Sequence, residues 1–90
     1  MGVSLKAKKY SPTRKRFDLT VEKRGFFGNL ELVFEMRIMS SIELSDDEVE
    51  LAAEETCERW AEKQEAKSQQ WYILRLPGRH HMTIYIKKEE

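Results

Sequence analysis

The fold of this chain is decided by residues 30–60, which read LELVFEMRIMSSIELSDDEVELAAEETCERW. Apolar and polar residues alternate with period two over the first nine positions, as in a strand that buries one face. After Ser45 the apolar spacing changes to that of a helix, and Ser45 followed by Glu48 is a capping-box pattern at a helix start. The stretch therefore predicts a long strand followed closely by a helix that packs on the same sheet.

The predicted helix has an apolar face made mostly of small side chains. At 100° per residue, that face collects Val49, Ala52, Ala53, Thr56, Cys57 and Trp60. Small residues let a helix approach a sheet closely, and Trp60 is the large anchor of this face. Because the far end of the helix lacks a glycine cap, its boundary is poorly defined, and we expect it near Lys67.

Two predicted hairpins flank the helix. The first alternates from Lys15 to Ile38, with turn residues at Gly25 and Gly28. The second begins with an apolar run at residues 71–76, and Pro77-Gly78 then supplies a favourable pair for a tight turn before a last alternating run. The predicted fold class is α+β in the order ββαββ, with two antiparallel hairpins forming a four-stranded sheet and one long acidic helix on one face.

Domain organisation follows from the same patterns. We expect residues 15–90 to form a single α+β domain and residues 1–14, which show no clean period, to form a flexible basic arm. Charge is also sorted along the chain, although the formal total is zero. Residues 1–24 carry eight basic and two acidic residues, a net +6, and residues 43–65 carry ten acidic and two basic residues, a net −8. Either region could attract a partner of opposite charge.

Composition narrows the class of protein. Ninety residues with 40% hydrophobic content support one core but not the deep cleft that most enzymes use. The lone Cys57 excludes an internal disulfide, and no apolar run approaches the roughly 18 residues of a membrane span. We expect a small cytoplasmic protein that uses no cofactor, touches no membrane and turns over no small-molecule substrate.

The predicted sheet leaves one face without a covering layer. Four strands span roughly 19 Å, whereas a helix is about 10–12 Å wide, so one helix packs on one side only. If the alternating apolar sets point to the helix, the outer face receives Val33, Trp71, Ile73, Tyr85, Glu31, Glu35, Arg37 and Arg75. Such a surface suits a protein interface, including a homodimer, or the stacking of nucleic-acid bases. A one-residue change of register would instead turn Trp71 into the core.

The first hairpin loop carries Phe26 and Phe27 between two glycines. Two adjacent phenylalanines in a tight connection cannot easily both turn inward. One of them caps the end of the core, or the loop tip is a hydrophobic anchor for a partner.

The leading hypothesis is a non-enzymatic protein-interaction or regulatory module, self-associating or binding another protein. Its candidate partner-binding residues are Phe26, Phe27, Val33, Trp71, Ile73, Arg75 and Tyr85. The alternative is a nucleic-acid-binding domain that adds the basic arm to the aromatic and arginine residues of the sheet. Its candidate residues are Lys8, Lys9, Arg14, Lys15 and Arg16. The pI near 6.7 weighs against this alternative, since dedicated nucleic-acid binders tend to be basic as whole domains.

Catalytic and metal-binding patterns are weak in this sequence. His80 and His81 are adjacent, and adjacent strand residues point to opposite faces, so we expect no shared metal. Cys57 falls on the apolar side of the helix, where a buried and inert thiol is expected. No glycine-rich phosphate loop is present, and we expect no enzyme activity.

The assigned helix face leads to a first prediction. Trp60→Ala removes the large anchor and should lower the free energy of unfolding by about 3–5 kcal/mol, measured by urea denaturation. Leu51→Ala is the matched control, because Leu51 lies on the opposite side of the predicted helix and should have little effect. Equal effects of the two substitutions would contradict the assigned face.

Overall fold

The computed structural model describes residues 2–61 and 66–89. Within them, five strands and one helix follow in chain order: β1 (Gly2–Tyr10), β2 (Arg16–Arg24), β3 (Leu30–Ser40), α1 (Asp46–Ala61), β4 (Tyr72–Leu74) and β5 (Met82–Lys88). The strands form an antiparallel sheet in the order β1-β2-β3-β5-β4. The predicted α+β class and both predicted hairpins are therefore confirmed, with β3 and β5 adjacent at the centre of the sheet.

The predicted four-stranded sheet in the order ββαββ is wrong by one strand. Residues 2–10, which we assigned to the flexible arm, are strand β1 and pair with β2 from Tyr10–Phe17 to Gly2–Arg24. A β-bulge between Leu5 and Ala7 shifts the register. Because a bulge moves later side chains to the other face, β1 has no continuous period-two pattern in its sequence.

The core lies between α1 and one face of the sheet. Its sheet side consists of alternating residues from β2, β3 and β5, namely Phe17, Leu19, Val21, Phe34, Met36, Ile38, Met82, Ile84 and Ile86. Its helix side is the predicted apolar face, every member of which is buried. The Trp60 ring packs against Tyr72 with 4.9 Å between ring centroids, which ties the end of α1 to β4.

The start of α1 has the predicted capping box. The Ser45 N–H donates to Glu48 Oε1 at 3.2 Å, and Ser45 Oγ accepts from the Glu48 N–H at 3.3 Å. Leu44 and Val49 flank this box and are both buried, as a hydrophobic staple requires. The helix therefore begins where local sequence chemistry predicts.

The predicted helix end near Lys67 falls just beyond four residues that the structure does not describe. The described helix ends at Ala61, residues 62–65 lie outside the described residues, and Ala66 and Lys67 are not helical. Two contacts hold the returning chain at the sheet: the Lys67 N–H donates to Tyr72 Oη at 2.9 Å, and Ser68 bridges to Lys88. Strand β4 is also shorter than the apolar run that predicted it, because pairing with β5 covers only its central residues.

The cap leads to a second prediction. Ser45→Ala removes the acceptor for the Glu48 N–H and should lower the free energy of unfolding by about 0.5–2 kcal/mol, measured by chemical denaturation. The exposed Ser41 lies outside the helix, and Ser41→Ala is the matched control with no expected loss. A fully stable Ser45→Ala variant would show that the capping box does not contribute to the folded state.

Candidate functional site

The sheet face opposite α1 carries a cluster of apolar side chains on which no described element packs. We call Met39, Trp71, Ile73 and Tyr85 the outer patch. Ile73 is 61% exposed, Trp71 40% and Met39 39%, while Tyr85 is half-buried. Strand pairing brings these residues together from three chain segments, since Tyr85 lies directly opposite both Ile73 on β4 and Arg37 on β3. Three of the residues predicted for partner binding therefore lie side by side.

Trp71 is fixed on this face by two cations. The Arg37 guanidinium carbon lies 5.3 Å from the centroid of the indole ring, and Lys87 Nζ lies 4.8 Å from it. Both are cation–π contacts, which restrain the ring without burying it. The alternative register that would place Trp71 in the core is therefore wrong.

Charged residues surround the outer patch and pair with one another. We call Arg16, Asp18, Glu35, Arg37, Lys87 and Glu89 the charged rim. The ion pairs are Arg37–Asp18 at 2.8 Å, Arg16–Asp18 at 3.4 Å, Lys87–Glu35 at 2.7 Å and Lys87–Glu89 at 3.8 Å. The hydrogen bond from Lys87 lowers the pKa of Glu35, and the same bond raises the pKa of Lys87. With three cations and three anions, the rim has no net charge, and Arg75 at its margin is a further cation that forms no ion pair with a described residue.

Two predicted residues lie at the margin of this surface. Val33 is on the same face, two residues before Glu35 on β3. Its side chain is half-buried and lies opposite Glu22 of β2. Arg75 is exposed directly after β4. Sequence reasoning missed Met39, because we ended the β3 alternation at Ile38. Extending the same period by one residue would have placed Met39 on the outer face, where it lies opposite Thr83.

The Phe26–Phe27 loop is a second and separate apolar surface. Phe26 is 82% exposed and Phe27 92% exposed, and their rings meet edge to face with 5.4 Å between centroids. Neither ring caps the core. The five steps along β3 from Leu30 to Glu35 place the loop roughly 17 Å from the Trp71 row. The structure therefore does not join the loop to the outer patch.

The basic residues predicted for nucleic-acid binding are largely engaged within the chain. Arg14 Nε donates to the Leu44 carbonyl at 2.9 Å, and its guanidinium also pairs with Asp46 and lies 4.6 Å over the Tyr10 ring. Lys8 Nζ lies 3.7 Å from Asp46. Together these contacts fasten the start of α1 to β1 and to the turn after it.

Of the other three basic candidates, one forms an ion pair and two do not. Arg16 pairs with Asp18 in the charged rim. Lys9 and Lys15 are exposed, and neither has an ion pair within the described residues. The predicted basic cluster is therefore not a continuous cationic surface.

The exposed side of α1 carries carboxylates around one leucine. Leu51 is 51% exposed and, with Asp47, Glu50 and Glu54, lines a shallow cavity of about 340 Å³. Glu55, on the flank of the helix, instead pairs with Arg79 at 2.9 Å. This acidic surface lies on the far side of the molecule from the outer patch.

Chemistry-bearing groups do not converge elsewhere in the described residues. No three His, Cys, Asp or Glu side chains in residues 2–61 and 66–89 could hold one metal ion. Cys57 is buried, as predicted, and burial raises the pKa of its thiol to about 12. No helix in the described part of the chain is long and apolar enough to cross a membrane.

No known family model matches the chain, and comparison with curated proteins and with solved structures gave no match. The functional proposal therefore rests on the outer patch and its charged rim.

The Arg14–Asp46 contact leads to a third prediction, on pH dependence. The hydrogen bond from Arg14 lowers the pKa of Asp46 below its usual 3.8, so the ionised carboxylate stabilises the folded state. That contribution should be complete above pH 3.8 and disappear as the pH falls through the lowered folded value. Asp46→Asn should therefore lower the thermal unfolding midpoint at pH 7 and lose this effect at strongly acidic pH.

Asp47→Asn is the matched control for this experiment. Asp47 is an exposed carboxylate in the same helical turn, with no ion pair to another described residue. It shares the favourable interaction with the helix dipole but not the arginine contact. Equal losses in the two variants at pH 7 would show that Arg14 does not stabilise the helix start through Asp46.

Proposed function

We propose that this chain is a non-enzymatic protein-interaction module whose main contact surface is the outer patch. The observation that carries the proposal is that Trp71, Ile73 and Tyr85 are neighbours on a face that no described element covers, with Met39 exposed one residue pair further along the sheet. Tryptophan, tyrosine, methionine and arginine are the residue types enriched at protein interfaces, and clustered aromatic anchors contribute most of their binding energy. Isolated exposed apolar residues are ordinary, but a contiguous group is not.

The cation–π contacts of Trp71 add to this proposal. Because Arg37 and Lys87 already restrain the indole, binding would cost less side-chain entropy than ordering a free tryptophan. Burying the patch removes apolar surface from water, which is worth roughly 25 cal/mol per Å². The patch is therefore a partly preorganised apolar anchor.

The charge distribution favours a protein partner over a nucleic acid. Binding to a phosphate backbone depends on cations that are free to replace counterions. The cations of the charged rim are paired with carboxylates within the face, and Lys8 and Arg14 are paired with Asp46. A polyanion gains little from these paired cations.

The Phe26–Phe27 loop is included in the proposal as a second contact element. Its two rings are the most exposed large apolar side chains of the described residues. Since the loop is separate from the outer patch, the two surfaces can be tested independently.

Site-specific photocrosslinking in the producing cell tests the proposal. A photoreactive benzophenone amino acid is placed at Thr83, which lies opposite Met39 beside the outer patch, at Phe27 in the loop, or at Glu58 on the exposed side of α1. We expect protein adducts from position 83 at a level several-fold above position 58. Ile73→Lys, introduced with the probe at position 83, should abolish them, while Leu51→Lys should not.

Four results would overturn the assignment. Adducts of equal yield from positions 58 and 83 would show that the outer patch has no special role. Adducts to nucleic acid in place of protein would favour the alternative function, as would oligonucleotide binding at about 50 mM salt that is lost in a Lys9→Gln, Lys15→Gln variant. Protein adducts from position 27 only would move the contact surface to the loop.

A further inference from the structure

We propose that the partner of the outer patch is a second copy of this chain, with two outer faces packed against each other about a two-fold axis. This inference rests on the proposed function and adds the identity of the partner. A two-fold dimer brings the same surface of both copies together, so that surface must be complementary to itself. The outer face meets this requirement in charge and in size.

The charged rim is self-complementary. It carries three cations and three anions, so two facing rims have no net repulsion, and cations of one copy can approach anions of the other. A partner with a strongly charged surface gains no net attraction from the same rim. Equal numbers of both signs around an apolar centre therefore suit a copy of the same face.

The acidic helices do not oppose this arrangement. α1 lies on the other side of the sheet, so both helices would lie on the outside of the dimer. Packed sheets are about 10 Å apart, and each helix adds a layer of about 10 Å, which places the helix axes roughly 30 Å from each other. Charges at this separation are screened, because the Debye length is about 8 Å at physiological ionic strength.

The size of the face also fits a dimer interface. The five strands contain 39 residues, which at about 3.4 Å per residue and about 4.8 Å per strand cover a projected area of roughly 640 Å². This area is of the same order as the ~800 Å² that each partner contributes to a standard interface. A second copy can cover the outer patch completely.

Sedimentation velocity of the purified full chain tests this inference. We expect the mass to rise from the 10.7 kDa monomer to twice that value between low and high micromolar concentration. The dimer should persist at 1 M salt, because burial of apolar surface is not screened. Ile73→Lys should give a folded monomer, shown by unchanged circular dichroism and the monomer mass.

Two further variants make the result independent of any single substitution. Met39→Lys places a charge at another exposed position of the outer patch and should also prevent dimer formation. Leu51→Lys is the matched control, since Leu51 has a comparable exposure on the opposite side of the molecule. This control should dimerise as well as the parent chain.

The outcomes separate this inference from the proposed function. A parent chain that remains monomeric up to about 1 mM overturns the second-copy inference, whereas protein adducts from position 83 would still support the proposed function with a different partner. A dimer that survives both patch substitutions but is lost in Leu51→Lys places the interface on α1 and overturns the inference. Loss of the dimer in both patch variants but not in the control supports it.

Discussion

The structure depends on one constraint: a single helix is too narrow to cover the sheet on which it packs. α1 is about 10–12 Å wide with its side chains, while the sheet it packs on is about 24 Å across. The hydrophobic core therefore forms between the helix and the middle strands, where the small residues Ala52 and Ala53 allow close packing. Towards the edges, Trp60 extends the contact by reaching Tyr72 of β4. The other face of the sheet receives no such layer from the described residues, and its apolar residues remain in contact with solvent.

The separation of charge along the sequence has a structural use. The basic N-terminal region and the acidic helix meet where Lys8 and Arg14 contact Asp46. The Leu44 N–H also donates to the Arg14 carbonyl at 3.1 Å, so backbone and side chain of one residue hold the same segment. Arg14 adopts a positive φ of 55° at this point, an uncommon backbone conformation for a residue other than glycine. Charges that suggested external partners in the sequence therefore contribute to the internal assembly of the domain.

Local patterns predicted much of this fold. The alternation in β3 and β5 predicted their buried residues and the outer position of Tyr85, and the same period applied to residues 71–76 predicted the outer positions of Trp71 and Ile73. Period two on a sheet separates the two faces without further information. Ser45 and Glu48 predicted the helix start because a capping box is formed by residues close in sequence. These features need only neighbouring residues for their physical explanation.

The remaining features depend on contacts between distant residues. Strand β1 was missed because its bulge interrupts the alternation and its lysines pair with residues far along the chain. The neutrality of the charged rim was not predictable either, since it requires knowing that Arg37 faces Asp18 and Lys87 faces Glu35. The exposure of both phenylalanines in the first loop likewise follows from where the core ends, and the loop sequence does not specify that point.

The two edges of the sheet restrict how copies of this chain can assemble. Strand β1, at one edge, combines a bulge with Lys6, Lys8 and Lys9, and strand β4, at the other edge, is three residues long. Bulges, lysines and short strands all hinder the addition of a further strand by backbone hydrogen bonding. Edge-to-edge addition of further copies, which has no natural end and leads to fibres, is therefore disfavoured at both edges of the sheet. Face-to-face packing, in contrast, stops at two copies, because the outer face of each copy is buried once the pair has formed.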